Sequence, residues 1–110
     1  MNTTNEAKSG TKQMTRERPR PRRYGFIGII IPTTAGHGPA IQAILSEHAG
    51  LIQGRMGLPH LENGSLAVIT LIVHGSTDEL GALTGRLGRL EGVTVKSGLA
   101  PLPAEDGGQG

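Results

Sequence analysis

The 110-residue chain contains no cysteine and no tryptophan, and its aromatic content is limited to Tyr24 and Phe26. Without a thiol there is no disulfide framework, no thiolate metal site, no iron-sulfur ligation and no cysteine nucleophile, whatever the fold. No apolar run approaches the roughly 18 residues that cross a bilayer as a helix, so no membrane contact is expected. Apolar side chains are also scarce at the ends. Residues 1–23 hold no Ile, Leu, Val or Phe, and residues 100–110 hold only Leu102 among Ala, Pro, Gly, Gln and acids. Neither end can bury enough surface to offset the entropy of ordering it. Residues 1–23 and 100–110 are therefore read as disordered tails flanking one domain at 24–99. A domain of that size is marginal on its own core, and a homodimer or higher homo-oligomer is the expected remedy.

Charge is as uneven as hydropathy. The first 23 residues carry Lys8, Lys12, Arg16, Arg18, Arg20, Arg22 and Arg23 against Glu6 and Glu17, whereas residues 24–99 hold four basic and five acidic side chains. Clustered arginines neutralise phosphates without reading sequence. Neither a helix-turn-helix or ribbon-helix-helix pattern nor the aromatic interleaving of a single-strand platform accompanies them, so the segment is read as a solubilising extension and nucleic acid is not expected as a direct specific partner. Arg22-Arg23 ahead of an apolar stretch also resembles a twin-arginine export signal. The stretch stops at Pro32 with no A-x-A-like site close behind, and cleavage there would remove the best strand of the sequence. The cytoplasm is the expected location.

Between the ends six segments follow one another, some with the period of a strand and some with that of a helix. Tyr24 to Ile31 (YGFIGIII) is β-branched and aromatic, with apolar residues on both faces, and is read as a central first strand. Ile41, Ile44, Leu45 and His48 fall on one helical stripe, with Pro39 in the first turn and Gly50 as an αL terminator. Leu51–Leu58 and Leu66–Val73 form a hairpin about the turn signal Glu62-Asn63-Gly64. Ser76 and Glu79 have capping-box spacing ahead of a second helix striped by Leu80, Leu83, Leu87 and Leu90. Its glycines Gly81, Gly85 and Gly88 suggest a face that other backbone approaches closely. Val93–Ser97 then alternates as a last strand with Val93 and Val95 inward. The order βαββαβ gives an α+β, ferredoxin-like fold: a four-stranded antiparallel sheet with two helices on one face. The bare face of such a sheet, or an edge strand, predicts pairing with another subunit.

Two stretches carry a family resemblance. Gly54-Arg55-Met56-Gly57-Leu58-Pro59, and the second-helix string Thr77-Asp78-Glu79-Leu80-Gly81-Ala82-Leu83-Thr84-Gly85-Arg86-Leu87-Gly88-Arg89-Leu90 continuing through Gly92-Val93-Thr94-Val95-Lys96-Ser97, resemble the small regulators associated with iron-only hydrogenase systems. The resemblance covers about residues 23–99. It implies an ACT-like variant of the ferredoxin-like fold, a dimer or higher oligomer, and a regulatory role connected with hydrogenase production or maturation. It names no ligand, and the residues name no cofactor.

The site candidates follow from loop, strand and histidines. Pro32 to Pro39 links the first strand to the first helix, and Gly36, His37 and Gly38 leave backbone N–H groups near a helix start, where an anion or carboxylate can bind. ACT-like domains take small ligands in this loop at a subunit interface, an implication of the resemblance; the competing reading is a plain connector, and no Walker lysine is present. Arg55 and Met56, between Gly54 and Gly57, are the second half of the expected ligand site, since a guanidinium holds a carboxylate through two bonds; an ordinary solvated arginine is the competing reading. His37, His60 and His74 are candidate metal ligands for a nickel, zinc or iron sensor, but no short pairing with a second ligand type supports them, and His48 belongs to the helix stripe. No nucleophile, base and orienting group assemble into a catalytic motif, so the chain is read as non-enzymatic. The leading function is a ligand-sensing regulatory dimer with a small-molecule effector. The alternative is a scaffold that binds a hydrogenase-related protein partner.

Overall fold

The computed structural model describes residues 20–102; the readings for 1–19 and 103–110 lie outside the described residues. The elements are β1 (Arg22–Pro32), a 3-10 turn at Thr33–Ala35, α1 (Gly38–Glu47), a second 3-10 turn at Ala49–Leu51, β2 (Ile52–Leu61), β3 (Leu66–Ser76), α2 (Thr77–Gly88) and β4 (Thr94–Leu99). The sheet order is β2-β3-β1-β4, antiparallel at every pairing. This is the ferredoxin-like fold expected from the element order. β1 is central, as its two-faced apolar content requires, and it begins at Arg22 rather than Tyr24 because Arg22 and Arg23 continue the ladder opposite Ser76 and Gly75.

One face of the sheet carries the core. Ile27, Ile29 and Ile31 of β1 and Ile69, Leu71 and Val73 of β3 are buried against Ile41, Ile44 and Leu45 of α1 and Leu80, Leu83 and Leu87 of α2. Val95 stands opposite Ile29 and, with Val93, packs at the edge of this cluster. Truncating one fully buried member such as Ile29 to alanine costs about 2–5 kcal/mol, a large share of the stability of a domain this small.

The register of β2 departs from simple alternation. Ile52 stands opposite Val73 but Gly54 stands opposite Ile72, so one extra residue is inserted in β2 between them. Beyond this bulge Arg55 and Gly57 oppose the inward Leu71 and Ile69, while Met56 and Leu58 oppose Thr70 and Val68 on the other face. The hairpin turn uses left-handed backbone at Glu62, Asn63 and Gly64 (φ 48°, 58° and 89°), consistent with the turn signal in the sequence.

Three expectations are corrected. Gly50 does not terminate α1 in left-handed geometry: the helix stops at His48 and Gly50 lies inside the 3-10 turn that leads into β2. Gly81, Gly85 and Gly88 meet nothing within 4 Å of where a Cβ would stand, so among the described residues no backbone crowds that face of α2. The arginine-rich segment is not wholly a free extension. Arg20 pairs with Asp78, Arg22 Nη1 with Glu79 at 3.1 Å, and Arg23 donates to the Ala100 carbonyl at 2.7 Å and to Thr77 Oγ1 at 3.3 Å. These exposed pairs are weak singly, yet together they lay the start of β1 along the N-terminal turn of α2.

The capping box forms as the spacing requires: Glu79 N–H donates to Ser76 Oγ at 3.1 Å and Ser76 N–H to Glu79 Oε1 at 2.9 Å. The hydrogen bond from the Ser76 backbone, helped by the Arg22 guanidinium, holds the Glu79 carboxyl below the ordinary value of 4.5. A lowered carboxyl stabilises the fold above that value and loses its contribution as the pH falls through the lower folded value. Ser76→Ala is expected to cost about 1 kcal/mol. Glu79→Gln should lower the thermal midpoint at neutral pH, with the gap to wild type closing in acid below 4.5; unfolding followed by circular dichroism across that range checks both.

Candidate functional site

A cavity of about 340 Å³ lies between the start of α1, the end of β1 and the β2–β3 hairpin, within the size range of small-ligand sites. Its apolar walls on the helix side are Ile31, Ile41, Ala67 and Ile69, its rim at the hairpin includes Leu58, Pro59 and Val68, and its polar groups come from Thr33, His37, Gln42 and Arg55. Among the described residues no aspartate or glutamate lines it.

Each polar group has a local cause. Pro32 itself has no N–H to give the ladder; the chain then turns through Thr33–Ala35, and Gly36 at φ 76° reverses it towards α1. Thr33 is pinned to the hairpin, its N–H donating to the Ser65 carbonyl at 3.0 Å and its Oγ1 to the Gly64 carbonyl at 2.6 Å. His37 occupies the N-cap of α1 but does not cap it. Its ring Nε2 instead lies 2.9 Å from the Glu91 carbonyl, and since a carbonyl only accepts, Nε2 is the donor of this bond. With Pro39 in its first turn and no side-chain cap, α1 presents its positive pole at the cavity wall through Gly38.

Arg55 reaches α1 because the bulge turns it to the helix side, where Nη2 donates to Gln42 Oε1 at 3.2 Å. Among the described residues no carboxylate pairs with it. The cavity is open to solvent on the side where Arg55 and Gln42 stand exposed, and it joins a guanidinium, an uncapped helix start and an apolar floor, with no opposing negative charge among the described residues. That arrangement suits a small carboxylate with an aliphatic body. It offers no activated nucleophile.

Of the residues singled out from the sequence, the fold brings His37, Gly38 and Arg55 to the cavity within one chain. Gly36 shapes the approach without lining it. Met56 does not belong there: the bulge places it on the opposite face of the sheet, 68% exposed. His60 lies in the exposed part of β2, and His74 stacks on Tyr24 at 4.0 Å between ring centroids on the outer face. His48 ends α1 with its Nε2 3.4 Å from Arg86, which also pairs with Glu47 and so lowers the Glu47 carboxyl. Among the described residues no three metal-ligating side chains cluster. Thr33, Gln42 and Gly57 are site residues that the sequence did not mark; each depends on a partner far along the chain.

Gly57 is the opening in the cavity floor. A Cβ there would meet Ile69 at 3.6 Å and the Val68 carbonyl at 3.8 Å, ordinary contacts, so a larger side chain enters the empty volume. Gly57→Val is expected to raise stability by about 1 kcal/mol through strand propensity and added burial. A lowered midpoint in thermal denaturation would show that the space above Gly57 is not free.

The family model TM1266-like, iron-only hydrogenase system regulator, matches residues 23–97. The solved structure of protein TM1266 from Thermotoga maritima is similar at 26% identity and a TM-score of 0.68, covering 73% of this chain and 99% of that one. A fainter likeness, at 17% identity and a TM-score of 0.42, joins 72% of the chain to 96% of CPII, a nitrogen regulatory PII-like protein from Thiomonas intermedia K12 bound to ADP, AMP and bicarbonate. Comparison with curated proteins gives no match.

Proposed function

Because the chain belongs to the TM1266-like family of iron-only hydrogenase system regulators, we propose that it is a non-enzymatic homo-oligomeric sensor whose effector is a small aliphatic carboxylate bound in the cavity between α1 and the β2–β3 hairpin. The observation that carries this reading is Arg55, turned inward by the bulge, without a carboxylate partner among the described residues, at the wall of an apolar cavity that also receives the start of α1. In a bound complex the guanidinium and the first-turn N–H groups hold the carboxylate, while Ile31, Ile41 and Ile69 enclose the aliphatic part. Gln42, which now accepts from Arg55, is free to reorient towards the ligand.

Such a ligand ties α1 to β2 and β3, and so couples effector concentration to the packing of one helix on the sheet. Regulation then follows from the difference in affinity between two packings of α1. The chain supplies the sensor, and a hydrogenase-related protein is the partner that reads it.

The test is calorimetric titration with aliphatic carboxylates, 2-oxo acids and amino acids of graded chain length. At least one binds the wild type. Arg55→Met should weaken it by about 10- to 100-fold, the loss of a charge-assisted pair, and Gly57→Val should abolish it while leaving the protein folded. Equal affinity in wild type and Arg55→Met would remove Arg55 from the site.

A further inference from the structure

The face of the sheet that carries no helices is unusually apolar. Tyr24, Phe26, Ile30, Met56, Leu58 and Ile72 all stand on it, 40–68% exposed, and among the described residues Leu102 is the only other large hydrophobic side chain left in the open. Two features of the fold put them there. β1 and β3 alternate with their isoleucines and leucines inward, which turns Phe26, Ile30 and Ile72 outward. The bulge in β2 does the same for Met56 and Leu58, which uninterrupted alternation from Ile52 would have carried into the core. Six side chains standing about half out of the layer, at roughly 200 Å² each, leave about 600 Å² of apolar surface. That is the upper end of what a monomer exposes and most of the ~800 Å² that each partner contributes to a standard interface.

We infer that this face is covered by a second copy of the chain, sheet against sheet about a two-fold axis. Charge selects the occupant. The four strands turn no aspartate or glutamate to this side; Lys96 stands on the edge strand β4, where its stem can reach the rim, and Arg22 at the end of β1 is tied to Glu79. A strongly charged partner finds little to pair with, whereas a face whose only charges, Lys96 and Arg22, stand on an edge strand and at a strand end meets its own copy with little repulsion. Relief selects it too. Gly28, in the middle of β1 between Phe26 and Ile30, carries no side chain, and a Cβ there would meet only the Lys96 carbonyl at 3.9 Å; this hollow among projecting side chains allows two copies to interlock. The inference gives a surface to the homo-oligomer in the function proposed above and is independent of the ligand.

Sedimentation equilibrium of the full chain at micromolar concentration tests it. The wild type is expected to be a dimer or a multiple of one. Met56→Glu and Ile72→Glu should each raise the dissociation constant about 100-fold or more by burying an unpaired charge, while Gly85→Lys, on the open face of α2, leaves it unchanged. Should Ile72→Glu fail to fold, Met56→Glu on the edge strand decides, with circular dichroism confirming the fold. A wild-type monomer at 50 times the concentration used for the variants would overturn both this inference and the homo-oligomer reading. An oligomer insensitive to both acidic substitutions, or one dissociated by Gly85→Lys alone, would overturn the sheet face and leave the oligomer standing. A monomer that binds oligouridylate and loses that binding in Met56→Glu would make the face a base-stacking platform instead.

Discussion

One inserted residue in β2 decides what each face of this sheet is for. Between Ile52 and Gly54 the ladder slips by one, and because strand side chains alternate with a period of two, the residues from Gly54 to Leu58 change sides before a second irregularity ahead of Leu61. Without it, Gly54, Met56 and Leu58 would continue the inward row begun by Ile52, and Arg55 would point to solvent on the bare face. With it, a guanidinium and the hollow at Gly57 face α1, and two apolar side chains face outward. The cavity and the exposed apolar surface are two results of the same irregularity. Both lie against the rigid central pair β1 and β3, whose inner isoleucines and leucines form the core that α1 and α2 close.

The fold was largely legible in the sequence because it rests on local signals. Four strand-like runs, two helical stripes, the Ser76–Glu79 capping box and the Glu62-Asn63-Gly64 turn are each set by neighbours within a few positions. What was not legible depends on contacts between distant residues. The Gln42–Arg55 bond, the meeting of His37 with the Glu91 carbonyl, and the ties from Arg20, Arg22 and Arg23 to the start of α2 and to Ala100 have no local signature. Met56 is a neighbour of Arg55 in sequence, but strand alternation puts the two on opposite faces and the bulge decides that Arg55 is the one facing α1. Gly81, Gly85 and Gly88 were read as a crowded face because glycine is costly in a helix, but the space around them is open and nothing in the structure explains their presence.

Stability and site pull in opposite directions at two places. Gly57 weakens a strand and leaves a volume that a valine would fill, yet that volume is the floor of the cavity. His37 stands where a serine or aspartate would cap α1 better, and its failure to cap leaves the helix pole open beside Arg55. Local rules broken at the rim of one cavity, and obeyed at the start of α2, are what a binding site built into an otherwise consistent fold looks like.

Native mass spectrometry of the full chain purified from its own cells, without added ligand, tests the account most directly, since one spectrum reports oligomer and retained small molecules together. The account predicts a homo-oligomer carrying one small organic acid per chain, absent from the Gly57→Val protein prepared in parallel. A wild-type spectrum showing only the bare chain, unchanged after incubation with aliphatic carboxylates, would contradict it.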